Sequence, residues 1–223
     1  MNDTRIPKII HYIWLGTRPL DKVSQKCMNT WGKYLPDYEV KRWGDDECRD
    51  IINSNLYARQ AYEAKKYAFV SDYLRVYILY NYGGVYMDTD VQMFKSIDRF
   101  LIHGAFTCFE NKTQIPTALM ASAKGNQWMK ALLDYYDDKS FIDADGHMDI
   151  TTNVDAITNV SLGMGFVPNA QIQVFSDDVH IYTKDYFCPI DTKNKANDIF
   201  TENTYAAHLY NCLLYTSPSP RDS

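Results

Sequence analysis

Apolar and polar positions along the 223-residue chain switch between a period of two and a period near 3.6, and the switches predict a succession of strands and helices. Residues 8–14, KIIHYIW, are dense in β-branched and aromatic side chains between Pro7 and Gly16 and read as a buried first strand. Helical spacing follows from Asp21 to about Tyr34, Pro36-Asp37 makes a turn, and residues 38–43 alternate as a second strand. Gly44-Asp45-Asp46 opens a helix whose acidic first turn suits the positive end of the helix dipole, and residues 58–66 again have helical composition. The strongest periodic signal is YAFVSDYLRVYILYNYGG, from Tyr67 onward. Phe69, Val70, Tyr73, Leu74, Tyr77, Ile78 and Asn81 recur at i, i+3, i+4 and define one buried face, and Gly83 supplies the stop.

Gly84-Val85-Tyr86-Met87 is then a short strand that delivers Asp88-Thr89-Asp90 to its C-terminal edge, where open α/β sheets bind ligands. If the strand ran on through both acids, they would share a face. Further strands are expected at residues 105–109, 172–175, 180–182 and 205–209, with helices at 127–136 and from 153 to 160. No fixed-period repeat and no Pro/Gly/Ser-rich linker divides the interior, so the pattern predicts an α/β fold in one domain over residues 1–211. The Ser/Pro-rich residues 212–223, CLLYTSPSPRDS, continue neither period and read as a translated cloning or sequencing scar.

Composition narrows the partners. A formal net charge of −5 gives no footprint for a phosphate backbone, which argues against nucleic-acid binding. The five cysteines are widely spaced with no CxxC pair, so neither a disulfide framework nor a thiolate zinc site is expected, and a reducing, cytoplasmic compartment fits. No run of 18 apolar residues occurs and the N-terminal apolar stretch is too interrupted for a signal peptide. The expected location is cytoplasmic, with peripheral association at the inner face of a membrane left open.

The candidate chemistry sits in GGVYMDTD, residues 83–90. Two carboxylates one residue apart repel, which calls for a cation between or beside them, although a solvated acidic turn would account for the octet alone. Asp72 and Arg75, three apart on the preceding helix, read either as a surface ion pair or as part of a polar pocket with the two acids. Trp14, at the end of the first strand, reads from its spacing as a core residue, or else as a flat surface for a planar base.

Three segments, IPKIIHYIWLG, AFVSDYLRVYILYNYGGVYMDTD and TENTYAAHLY, together resemble the DXD-containing sugar transferases, glycosyltransferase family 32, allied to yeast initiating mannosyltransferases and the large clostridial glucosylating toxins. The likeness extends over nearly all of residues 5–211. It implies a GT-A fold, a single Rossmann-like domain with a mixed central sheet. It further implies a UDP- or GDP-sugar donor, a divalent metal (Mn²⁺ or Mg²⁺), a glycan or lipid-linked sugar acceptor as in capsule synthesis, and retention of anomeric configuration. By motif, Asp88 and Asp90 resemble the metal-holding D-x-D, Asp72 and Arg75 the pair that contacts donor sugar and phosphates, and Trp14 the ring stacked on the base. His208 matches a C-terminal histidine that serves as a further metal ligand. Leu209 stands where relatives carry a second histidine or an aromatic, and Cys212-Leu213-Leu214 replaces their Gly-Ser-Trp ending.

Two alternatives share the D-x-D. A haloacid-dehalogenase-type phosphatase also places one after an apolar strand, and residues 143–149, DADGHMD, resemble its late acidic motif. Gln92 occupies the position where that family wants threonine or valine, and its Ser/Thr and Lys motifs are not evident. A non-catalytic, sugar-binding transferase module is the other. As a Ca²⁺ loop DADGHMD has its glycine fourth rather than sixth, so it reads as a solvated loop. His11, His103, His147 and His180 are scattered singly and read as structural or exposed, and Lys65-Lys66 as a solvated pair.

Overall fold

A computed structural model describes residues 4–211, so the C-terminal tail with Cys212 lies outside the described residues. Among the described residues nine strands and seven α-helices follow one another in chain order. They are β1 (Ile9–Ile13), α1 (Lys22–Tyr34), β2 (Glu39–Trp43), α2 (Asp45–Ser54), α3 (Leu56–Glu63), α4 (Tyr67–Tyr82), β3 (Gly84–Met87), β4 (Val91–Met93) and β5 (Ala105–Cys108). After them come β6 (Leu119–Ser122), α5 (Gln127–Asp134), α6 (Asn153–Gly163), β7 (Gln173–Phe175), β8 (Val179–Tyr182), α7 (Lys184–Phe187) and β9 (Ala206–His208).

Seven strands form a mixed sheet in the order β2-β1-β3-β6-β5-β8-β7, and β4 pairs with β9 in a separate two-stranded sheet. β2, β1 and β3 run parallel, β6 lies antiparallel between β3 and β5, and β8 is again parallel to β5. The carboxyl ends of β1, β3, β5 and β8 therefore share one edge. Strand alternation feeds two cores, one on each face. Tyr86 and Met120 join α2 to α6 on one side, whereas Val85, Met87, Leu119 and Ala121 face α1, β4, α7 and β9 on the other.

The expected elements appear within a few residues of their predicted limits, with two differences. The buried side of α4 is wider than one seam: Val76, Leu79 and Arg75 are buried, while Phe69, Tyr77 and Asn81 are half-buried. The helix packs on α2, α3 and α5 as well as on the sheet, so more of its circumference is covered. Strand β3 ends at Met87, as expected for residues 84–87, so both acids lie beyond it and not on one of its faces. The second difference is that β4, β6 and the short helix α7 were not expected, and β6 occupies the centre of the sheet.

Candidate active site

The two glycines of GGVYMDTD set the entry to β3. Gly83 ends α4 at φ 69° and Gly84 follows at φ 108°, both in the region that side chains avoid. A Cβ on Gly84 would lie 2.7 Å from the Ile9 carbonyl oxygen and 2.8 Å from His11 Nε2. His11 is buried beneath this crossing, bonded through Nε2 to the Gly83 carbonyl (2.8 Å) and accepting from Trp43 Nε1 at Nδ1 (3.1 Å). Burial holds its pKa down to about 4, so the ring is neutral at ordinary pH.

Beyond Met87, the Asp88 N–H still donates to Ala118 O of the β6 side (2.8 Å), and Val91 N–H then donates to Asp88 O (3.0 Å), closing a turn. The turn, rather than strand alternation, brings the carboxylates together. Asp88 Oδ1 accepts from Tyr86 OH (2.7 Å) and lies 3.8 Å from Arg75 Nη1, while Oδ2 faces His208 Nε2 at 3.9 Å. Asp90 Oδ2 accepts the Asn211 N–H (2.7 Å) and Oδ1 faces the same imidazole nitrogen at 3.3 Å. Each carboxylate thus has one oxygen anchored by the protein and one turned to a common centre.

His208 arrives there through β9, whose antiparallel register pairs it with Val91, the residue after Asp90. Burial favours its neutral form, but the adjoining Asp90 and then Asp88 outweigh that and raise its pKa. Burial likewise raises Asp88, against the pull of Arg75 and His208.

Asp72 and Arg75 are not a surface pair. Arg75 is 5% exposed and gives its guanidinium to Asp72 Oδ1 (3.0 Å), Ser71 O (3.1 Å) and Thr117 O (2.9 Å), above the Tyr86 ring at 4.7 Å. Asn153 Nδ2 donates to the same Asp72 oxygen (3.1 Å). Burial, only partly offset by Arg75, lifts Asp72 to about pKa 6. Trp14 sits on the same edge at the end of β1, half-buried, with its indole N–H fixed on Arg18 O at 2.6 Å. Strand order places it there; Asp72, Arg75, Asp88, Asp90 and His208 are joined more directly, through the chain of contacts just described.

One oxygen from each of Asp88 and Asp90 and one nitrogen of His208 lie within 4.8 Å of one another. Hard oxygen donors with one imidazole suit Mn²⁺ or Mg²⁺, and three buried or half-buried acids against one arginine and one histidine leave negative charge for a cation to balance. The residues present therefore fit a divalent ion.

Tyr86, Asn153 and Asn211 belong to the site and were not anticipated. Tyr86 lies two residues before Asp88, the spacing that puts both on one side of a strand, and was the one with a signal in the sequence. The remaining candidates fall outside. Asp143, Asp145 and His147 are exposed, and Asp143 Oδ1 bonds the loop's own Asp145 and His147 N–H groups. Lys65 and Lys66 are exposed as expected, and the four described cysteines are buried thiols. His103 and His180, far from being scattered singly, stack at 3.5 Å between centroids at the opposite edge of the sheet.

Residues 21–107 match the family described as glycosyltransferase sugar-binding region containing DXD motif. Inositol phosphoceramide mannosyltransferase 3 of Schizosaccharomyces pombe is 30% identical over 129 residues, 56% of this chain and 35% of that protein. An uncharacterized glycosyltransferase of Acanthamoeba polyphaga mimivirus is 24% identical over 208 residues, 91% of this chain and 81% of its own. The chain spans about a third of the fission-yeast relative's length. Among solved structures, PaToxG glycosyltransferase superposes with a TM-score of 0.53 at 20% identity, covering 71% of this chain and 69% of that one, so the fold is of the GT-A type. Over residues 21–107 the chain is thus similar to DXD-containing glycosyltransferases, and its fold is like that of one of them. Among the described residues no helix is long and apolar enough to cross a membrane.

Proposed function

We propose that this chain, which carries the DXD-containing region of the glycosyltransferases on a GT-A fold, moves a hexose from a nucleoside-diphosphate sugar to a glycan or lipid-linked acceptor. The observation that supports this most is the convergence of Asp88, Asp90 and His208 beside the buried Asp72–Arg75 pair. Mannose is the first sugar to test, because several relatives are named mannosyltransferases.

In this reading Asp88, Asp90 and His208 hold Mn²⁺ or Mg²⁺, which when bound neutralises charge on the donor diphosphate. Arg75, fixed by Ser71, Thr117 and Asp72, presents a preorganised positive charge to the departing phosphate in a site largely closed to water. Asp72 receives donor-sugar hydroxyls, oriented by Arg75 and Asn153. Trp14 offers its ring to the nucleoside base at the same edge. In this reading Asp88 and Asp90 are taken up by the metal and Asp72 by Arg75 and Asn153, so none of the three is assigned as a covalent nucleophile. Retention would then follow from same-face displacement, with the leaving phosphate taking the acceptor proton.

The test is a screen of UDP- and GDP-sugars for hydrolysis with and without Mn²⁺. At least one donor is expected to be hydrolysed only with the metal, and product NMR should show the donor's anomeric configuration. Metal-independent cleavage contradicts the metal role, and an inverted product contradicts retention.

A further inference from the structure

The shared strand edge does not end at the D-x-D. Two strands along, where β5 and β8 end, opens a cleft of about 1250 Å³, larger than the 300–1,000 Å³ typical of small-ligand sites. Its walls mix carboxylate, amide, hydroxyl and ammonium side chains, among them Glu110, Asn111, Lys112, Asp155 and Thr183, with the apolar faces of Phe109 and Tyr210. Such a surface matches the hydroxyls and C–H faces of sugars.

Glu110 stands where this cleft meets the metal site. Its Oε1 accepts from Tyr210 OH at 3.3 Å, and Cys188 Sγ lies 3.0 Å from the same hydroxyl. The Tyr210 ring packs on His208 with centroids 4.1 Å apart, so one aromatic touches both the histidine and Glu110. Tyr210 adopts φ 54°, a conformation that costs a bulky residue energy and that recurs at functional sites. β3 and β5 are separated only by β6, so Glu110 and Asp88 stand about two strand spacings, roughly 10 Å, apart along the edge.

We infer that Glu110 receives the attacking hydroxyl of the acceptor, and that the acceptor is a glycan of two or more sugars lying in the cleft behind it. This rests on the transferase reading above. The acceptor oxygen forms the new bond to the anomeric carbon as the bond from that carbon to the phosphate oxygen breaks. The diphosphate leaves with the electron pair and its oxygen takes the hydroxyl proton. Glu110 orients the hydroxyl and ends the cycle in the charge state in which it began.

The experiment compares Glu110→Gln and Tyr210→Phe with the unaltered chain in two assays. One is Mn²⁺-dependent hydrolysis of the donor found above. The other is transfer from it to a panel of methyl monosaccharides and the matching di- and trisaccharides. Glu110→Gln is expected to keep donor hydrolysis and melting temperature while kcat/KM for transfer falls about 10- to 100-fold, the loss expected for a hydrogen bond to a charged group. Tyr210→Phe should lose less, and the unaltered chain should show KM falling from mono- to trisaccharide. Equal loss of hydrolysis and transfer in Glu110→Gln, unchanged transfer, no gain with acceptor length, or hydrolysis with no transfer to any panel member would overturn the assignment. Absence of donor hydrolysis by the unaltered chain would instead sink the transferase reading beneath it.

Discussion

Gly84 admits no side chain: Ile9 O and His11 Nε2 already occupy the space a methyl would take. Gly84→Ala is therefore expected to cost about 1–3 kcal/mol, read from urea denaturation, with strain at φ 108° adding to the clash. His11 contributes a pH dependence. Its pKa falls from 6.5 to about 4 on folding, so its stabilisation is complete above pH 6.5 and is lost as pH drops through about 4. Asp72 runs the other way: raised from 3.8 to about 6, it favours folding at low pH and loses that contribution as pH rises through 6. Replacing His11 by Gln should flatten the fall in stability between pH 6.5 and 4, and an unchanged slope would show that another group carries it. These residues differ in how far the sequence revealed them. D-x-D and the Asp-x-x-Arg pair are local patterns, whereas Asn153 and Asn211 reach Asp72 and Asp90 across 81 and 121 positions and leave no local trace.

Helix α4 carries Asp72 and Arg75 near its middle and core residues on its flanks. Val70, Leu74, Val76, Ile78 and Leu79 are fully buried, each stabilising the fold by about 1.5–3 kcal/mol. Leu74→Ala should cost about 2–5 kcal/mol in denaturant. Because Asp72 and Arg75 flank Leu74, donor affinity should weaken with it; a destabilised variant with normal donor affinity would separate the core from the site. This helix was legible because sixteen residues sustain one period. β6, Leu-Met-Ala-Ser, was not: four residues with two small, weakly strand-forming members give no period, and burial against β3 and β5 decides its state. The β4–β9 pair is three residues on each side and closes across more than a hundred positions, so its register, and with it the placement of His208, is a tertiary result. His208→Ala is expected to weaken Mn²⁺ binding at least about 10-fold while the melting temperature without metal changes little.

At the scale of the molecule, a mixed sheet gathers the ends of β1, β3, β5 and β8 on one edge, and the chain places Trp14, the D-x-D and Glu110 along it in that order. The alternation of strands and helices announced such an edge; the insertion of antiparallel β6, which spaces Asp88 from Glu110, it did not. The account turns on whether Asp88 and Asp90 grip a divalent ion. Calorimetric titration of Mn²⁺, with and without UDP and GDP, into the unaltered chain and into Asp88→Asn and Asp90→Asn tests this most directly. We expect one Mn²⁺ per chain, tightened by one of the nucleotides, and loss of that binding in both variants at an unchanged fold. Equal Mn²⁺ binding by all three proteins would contradict the account.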